Sequence, residues 1–588
     1  MKPLFSTNDG SSAMSAAPAR GSLVALGLIV SMAVVGVLAG DGQEGAYAPP
    51  AGRGEGEIEK TRRYITADDC ARCHYEGSQV SPLIRKEESP PAKKAETAKT
   101  AKPQGSPTAK KAEAAKKAQE LFPLVRLNES QLWNDHDRHR KAFDALTRGG
   151  RGEQIGRLMG IADVTKAQEC LSCHSTGFFP EEQDAMFRAD AEQYKELGVS
   201  CIACHGAYDE WFTNHFRGTS PNRAWRSKSA QTKQSEFGMT DLRDPATRSA
   251  TCYACHIGKA AEGKVVTHRM YAAGHPPLPG IEVATFSQAM PPHWWDPADV
   301  PLFREDPASG PLYHYDPSES RQTKLAVIGG VVALRDSMNL LRATMAPGRS
   351  DANPAQGAWP DFAAFDCYAC HHDLQAPGFE GWRQSRGDDS RPPDWTPPGV
   401  RGRPQVRPWP FALARLGLAQ VESLPDGRAL RAEFEKGVAA LNKAYRTRPF
   451  GNSRAVAEAA KGLVAWSERL LQALGGTTFD QASPARLLKA LTIIPEEESP
   501  DYDSARQIAW AFRTIFSEWK PLPSNSDRIR SMLGEMDTLL KLEPNIGRED
   551  DLMLSLARAA EYDPRKFKQK LGELSALLPD VAKGQARR

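Results

Sequence analysis

All ten cysteines of this chain fall into five copies of one pentad, Cys-x-x-Cys-His. The copies are Cys70–His74, Cys170–His174, Cys201–His205, Cys252–His256 and Cys367–His371. Two thiols separated by two residues, at i and i+3, lie on one side of a helical turn, and the histidine follows directly at i+4. Zinc would use such pairs two at a time and gives no reason for a fifth pair or for the invariable histidine. Thioredoxin-type redox chemistry needs one pair. Covalent attachment of haem c uses every element: each pair of thiols adds to the two vinyl groups of one porphyrin, and the adjoining imidazole takes the iron from below. The expected cofactors are five haems c. Their attachment residues are Cys70, Cys73, Cys170, Cys173, Cys201, Cys204, Cys252, Cys255, Cys367 and Cys370, with proximal ligands His74, His174, His205, His256 and His371.

This sets the fold class: mainly α with much irregular backbone, a multihaem cytochrome c core plus a C-terminal helical domain. The 44 prolines and 47 glycines suit a core in which porphyrin supplies apolar surface that side chains would otherwise provide. A formal charge of +3 on 588 residues is too small to argue for a nucleic-acid partner, and 25% charged residues exclude a chain that is membrane-embedded throughout.

Residues 1–48 read as an export signal. Lys2 and Arg20 precede an apolar run from Leu23 to Leu38, and Val37-Leu38-Ala39 and Ala46-Tyr47-Ala48 both have the small-x-small form of a cleavage site. The alternative is an uncleaved anchor, since the run is just long enough to span a bilayer. Either reading places the rest outside the cytoplasmic membrane, in the periplasm or beyond, with membrane contact only through that anchor.

Residues 49–85 begin the haem region with its first pentad. Residues 86–118 are a Lys/Ala/Pro-rich insert without the apolar residues a core needs, and read as a disordered, solvated tether. Residues 119–375 carry the other four pentads. Within them, Leu132 to Phe143 has the pattern of one helix with His136 and His139 on the same side. The 26-residue gap between the second and third pentads favours two porphyrins close together. An apolar period from Lys324 to Met345 predicts a helix. Residues 376–410 are a Pro/Gly/Arg-rich linker. Residues 411–588 hold neither Cys nor His and show helical periods at 429–446, 453–474, 484–494, 504–518 and 528–542, with more toward Leu578.

Eight histidines lie outside the pentads: His136, His139, His215, His268, His275, His293, His314 and His372. None lies in the helical tail, a skew that argues for iron ligation upstream of it. The candidate distal ligands are His139, His215, His268, His275 and His293. His136 and His314 read as structural, and His372, directly after a proximal ligand, would have to serve another haem. A second imidazole closes the iron and suits it to moving electrons, not to binding substrate. The tryptophans near His139, His215 and His293 read as porphyrin walls.

The order of these features resembles the tetrahaem cytochrome c-554 family. The resemblance runs through Trp133 to Phe143, Gly177-Phe178 after the second pentad, and Gly198 to Gly206 around the third with His215 downstream, and covers about residues 64–375. It implies periplasmic electron transfer between redox partners, in nitrogen-compound respiration, with haems in stacked and roughly perpendicular pairs. It also implies a five-coordinate second haem, here that of Cys170, Cys173 and His174. The alternative function is an oxidoreductase acting on nitrite, hydroxylamine or nitric oxide at one open haem. The Lys/Ala insert, the fifth pentad and the helical tail depart from the family pattern.

Overall fold

In the computed structural model the described residues are 67–74, 124–176, 195–206, 209–216, 223–278, 280–305, 310, 313, 315–345, 360–365, 406–446, 450–494, 500–542, 558 and 561–579. The N-terminal apolar run, the Lys/Ala insert, the fifth pentad, His314, His372 and most of the 376–410 linker lie outside them. No described helix is long and apolar enough to cross a membrane. Among the described residues the secondary structure is helical, with three isolated β-bridges and no strand.

All four described pentads end a helix at their histidine: α1 (Ala67–His74), α4 (Gln168–His174), α5 (Cys201–His205) and α7 (Pro245–His256), with α2 (Glu129–His136) and α3 (Arg151–Met159) between the first two and α6 (Asp209–Phe216) after the third. α7 is the longest of the four. It starts on Pro245 at its first position, with the Asp244 carboxylate accepting from the Thr247 N–H at 2.7 Å. α8 (His268–Ala272) is capped by Thr267.

The single helix expected over 132–143 is two elements. α2 stops at His136, Asp137 turns extended (φ −81°, ψ 131°), and a 3₁₀ turn takes over from Arg138 to Lys141. The cause is Asp137, whose carboxylate accepts from the His139 N–H at 2.9 Å and so starts a new turn in place of continuing the old one. His136 is left exposed and His139 turns inward, so the two do not share a side. Gly198 locks this turn from outside. It has φ +67°, and a Cβ there would sit 2.6 Å from the carbonyl oxygens of His139 and Arg140. Beside it the Val199 N–H donates to the His139 carbonyl at 2.9 Å, and the Trp133 indole donates to the Val199 carbonyl at 3.0 Å.

The remaining helices are α9 (Val283–Ala289), α10 (Arg321–Ala343), α11 (Ala414–Val421), α12 (Gly427–Arg446), α13 (Ser453–Gly475), α14 (Ser483–Thr492), α15 (Tyr502–Glu518), α16 (Ser526–Leu540) and α17 (Pro564–Leu577). α10 is buried nearly all round. Its apolar residues share one continuous core with α7, α9 and the helices after residue 408, from Tyr253 through Leu334 and Trp466 to Leu578. Gly330 makes a close join to the tail: a Cβ there would lie 2.5 Å from the Leu413 Cβ. The N-terminus of α10 is capped from the far end of the sequence. Glu518 accepts from the Gln322 N–H at 3.0 Å, the Thr323 N–H at 2.7 Å and the Thr323 hydroxyl at 2.8 Å. The helical tail and the helix carrying the fourth pentad are therefore joined through α10.

Candidate haem-binding site

Each of the four described proximal histidines faces one histidine from outside the pentads. The ring centres lie 6.4 Å apart for His74 and His215, 6.3 Å for His174 and His275, 6.5 Å for His205 and His293, and 6.4 Å for His256 and His139. The first pair is near parallel at 17°, and the others cross at 76°, 87° and 89°. Direct contact between aromatic rings has no preference for one such value. A metal–imidazole bond of about 2.0–2.1 Å, plus about 1.2 Å from nitrogen to ring centre, puts two imidazoles across one metal ion about 6.4 Å apart. The residues therefore fit an iron held between two imidazoles, four times over.

The outer ring nitrogens are fixed in the way such ligation requires. The Nδ1 of His174 donates to the Ala142 carbonyl at 2.7 Å, that of His215 to Phe212 at 2.5 Å, that of His275 to Pro276 at 2.7 Å and that of His293 to Pro291 at 3.3 Å. His74 Nδ1 faces the Glu129 carboxylate at 2.9 Å, and His139 Nδ1 faces Asp137 at 2.9 Å. With Nδ1 occupied as donor, Nε2 carries the lone pair for a metal.

Burial sets the protonation of the carbonyl-bonded rings. It pushes His215 down to about 4 and lowers His174, His275 and His293. His205 and His256 are likewise pushed down to about 4 by burial. These six are neutral at pH 7, the ligating form. At His74 and His139 burial acts in the same direction, but the carboxylates Glu129 and Asp137 outweigh it and leave both rings above their ordinary value.

The thiols show how the pentads are grouped. Cys70 lies beside Cys201, and Cys173 beside Cys255. The first pentad thus neighbours the third, and the second neighbours the fourth. The segments flanking the second and third pentads meet through their backbones: the Thr176 N–H donates to the Gly198 carbonyl at 3.0 Å, and the Thr176 hydroxyl accepts from the Ser200 N–H at 2.7 Å. Among the described residues no three His, Cys, Asp or Glu side chains gather as a metal cage.

Of the five candidate distal histidines, four face a proximal ring. The fifth, His268, packs edge-on against Phe362 at 5.4 Å and donates its backbone N–H to the Asp361 carboxylate at 3.0 Å. It therefore sits beside the segment that leads into Cys367. Trp211 lies 5.3 Å from His215, and Trp294 lies 4.8 Å from His293. Sequence reasoning missed the partners of the outer nitrogens. Asp137, two residues before His139, carried a local signal for a turn. Glu129 is far from His74 in sequence and carried none.

Residues 127–206 match a protein-family profile described as cytochrome c554 and c-prime. Comparison with curated proteins and with solved structures gives no match. The matched segment holds the second and third pentads, His139 and the Gly198 turn. It supports a multihaem c-type cytochrome with covalently bound haem c, a function in haem-based electron transfer, and redox proteins as partners.

Proposed function

We propose that this chain is a periplasmic pentahaem electron carrier in which each iron at the four described pentads is closed by two imidazoles. The observation that carries the reading is the set of four histidine pairs, all with ring centres 6.3–6.5 Å apart. The assignment is His74 with His215, His174 with His275, His205 with His293, and His256 with His139. We assign His268 to the fifth haem, with His371, because it lies against Phe362 just before that pentad. Haem c supplies a one-electron ferric/ferrous couple when bound. The chain's own part is to hold each imidazole pair rigidly through Nδ1, so that the ligands need not move when the charge changes.

The second site decides between a carrier and an oxidoreductase for nitrite, hydroxylamine or nitric oxide. The family pattern implies an open iron at His174. In this chain His275 faces His174 with its Nδ1 anchored on Pro276, which favours a closed site and a carrier. The nitrogen-compound respiration implied by the resemblance, and export through residues 1–48, complete the proposal.

The test is spectroscopic. Mass spectrometry of mature protein should show the added mass of five haems. Oxidised protein should be low-spin, and His215→Ala and His275→Ala should each convert one iron to high spin. A high-spin iron in the unmodified protein that shifts on adding nitrite or hydroxylamine, and that His275→Ala leaves unchanged, would overturn the closed second site.

A further inference from the structure

The four histidine pairs differ in what holds their outer nitrogens. At His174, His215, His275 and His293 the partner is a peptide carbonyl. At His74 and His139 it is a carboxylate. Both carboxylates are built into the fold. Glu129 faces His74 with Oε2 while its Oε1 accepts the Arg126 N–H at 2.5 Å. Asp137 is 4% exposed, and its Oδ1 accepts from both the backbone N–H and the Nδ1 of His139 at 2.9 Å.

The two carboxylates are distributed one to each couple of neighbouring pentads. The couple joined at Cys70 and Cys201 has Glu129 on the His74/His215 pair, and its neighbour is anchored through a carbonyl at His293. The couple joined at Cys173 and Cys255 has Asp137 on the His256/His139 pair, and its neighbour is anchored through carbonyls at His174 and His275. A charged acceptor makes a stronger hydrogen bond than a carbonyl. It returns electron density to the ring and makes the other nitrogen a more basic ligand. A more basic ligand favours the ferric state and lowers the reduction potential.

We infer that Glu129 and Asp137 are potential-tuning residues, each lowering one redox centre in its couple relative to the neighbour, so that each couple carries a built-in downhill step for one electron. The inference rests on the imidazole assignment made above.

Potentiometric titration of the purified haem-loaded full chain, followed by paramagnetic resonance and visible absorbance, tests it. Glu129→Gln and Asp137→Asn keep the side-chain shape and remove the charge. Each should raise one midpoint by roughly tenfold in the reduction equilibrium, about 59 mV for a one-electron couple. The two variants should shift different centres, the double variant both, and all should stay low-spin. Unchanged midpoints in low-spin single variants would overturn the tuning and leave the ligand assignment standing. A His215→Ala protein in which every iron stays low-spin would instead overturn the assignment. Should one carboxylate variant fail to mature, the other carries the test, because each carboxylate bonds a different ring.

Discussion

The two halves of this molecule are held together by different means. The tail helices α11–α17, with α7, α9 and α10, gather their apolar side chains into one core, of which Trp466, Phe512 and Phe567 are among the largest fully buried members. Around the histidine pairs the buried apolar residues form small separate clusters: Phe143, Leu146, Val164 and Leu171 in one, Trp211 and Trp225 in another, and Val300, Phe303 and Tyr313 in a third. That region also keeps a buried ion cluster. Lys233, 2% exposed, reaches Asp241 at 2.8 Å, and Arg243 grips the same carboxylate at 2.6 Å. A half that has its own side-chain core gains stability from area removed from water. A half whose buried apolar residues are few and scattered keeps polar clamps such as Lys233–Asp241–Arg243 in its interior.

Substitutions can break this contrast. Trp466→Ala should cost most, about 3–5 kcal/mol, since it removes a 1%-exposed indole and its 2.7 Å bond to the Leu430 carbonyl. Chemical denaturation followed by circular dichroism would measure it, and the low-spin signals of the folded protein should not move. Asp241→Asn should cost about 3–5 kcal/mol at pH 7 by leaving Lys233 buried without its counter-charge. Burial opposes the charge on Asp241, but Arg243 and Lys233 outweigh it and hold the carboxyl well below its usual range. Its contribution is therefore complete above the unfolded carboxyl value, about 3.9, and fades as pH falls further. The stability gap between wild type and Asp241→Asn should narrow below about pH 4. A gap independent of pH would mean that the clamp works by shape alone.

Glu518→Ala should cost about 1–3 kcal/mol by uncapping α10, and should lower the cooperativity between the two halves. Two separate melting transitions in that variant would sharpen the comparison most. Arg148→Ala should be nearly silent, below about 0.5 kcal/mol, because its bond to Asp144 at 3.0 Å lies at the surface.

The helices of the tail could be read almost residue by residue, because their apolar period is local. The expected 453–474 is Ser453–Gly475, and 504–518 is Tyr502–Glu518. The same period identified α10 but not its surroundings: nothing in residues 324–345 announces that Leu413 will press on Gly330. The pentads and the pool of histidines outside them were likewise legible from residue type and count. Which ring faces which was not, because His215 crosses back to α1 and His139 crosses forward to α7. Only packing decides such pairings. The break at Asp137 shows a local rule overriding a periodic one. A carboxylate two residues before His139 captured its backbone N–H and ended the helix that the pattern alone would have continued.

The cap on α10 has a temporal consequence. Synthesis proceeds from the N-terminus, so α10 is complete before Leu413, Trp466 or Glu518 exists to cover it. All five thiol pairs precede residue 371, ahead of every tail helix. The pentads are thus complete while the core shared by α10 and the tail is still open, and that core closes only with the last third of the sequence.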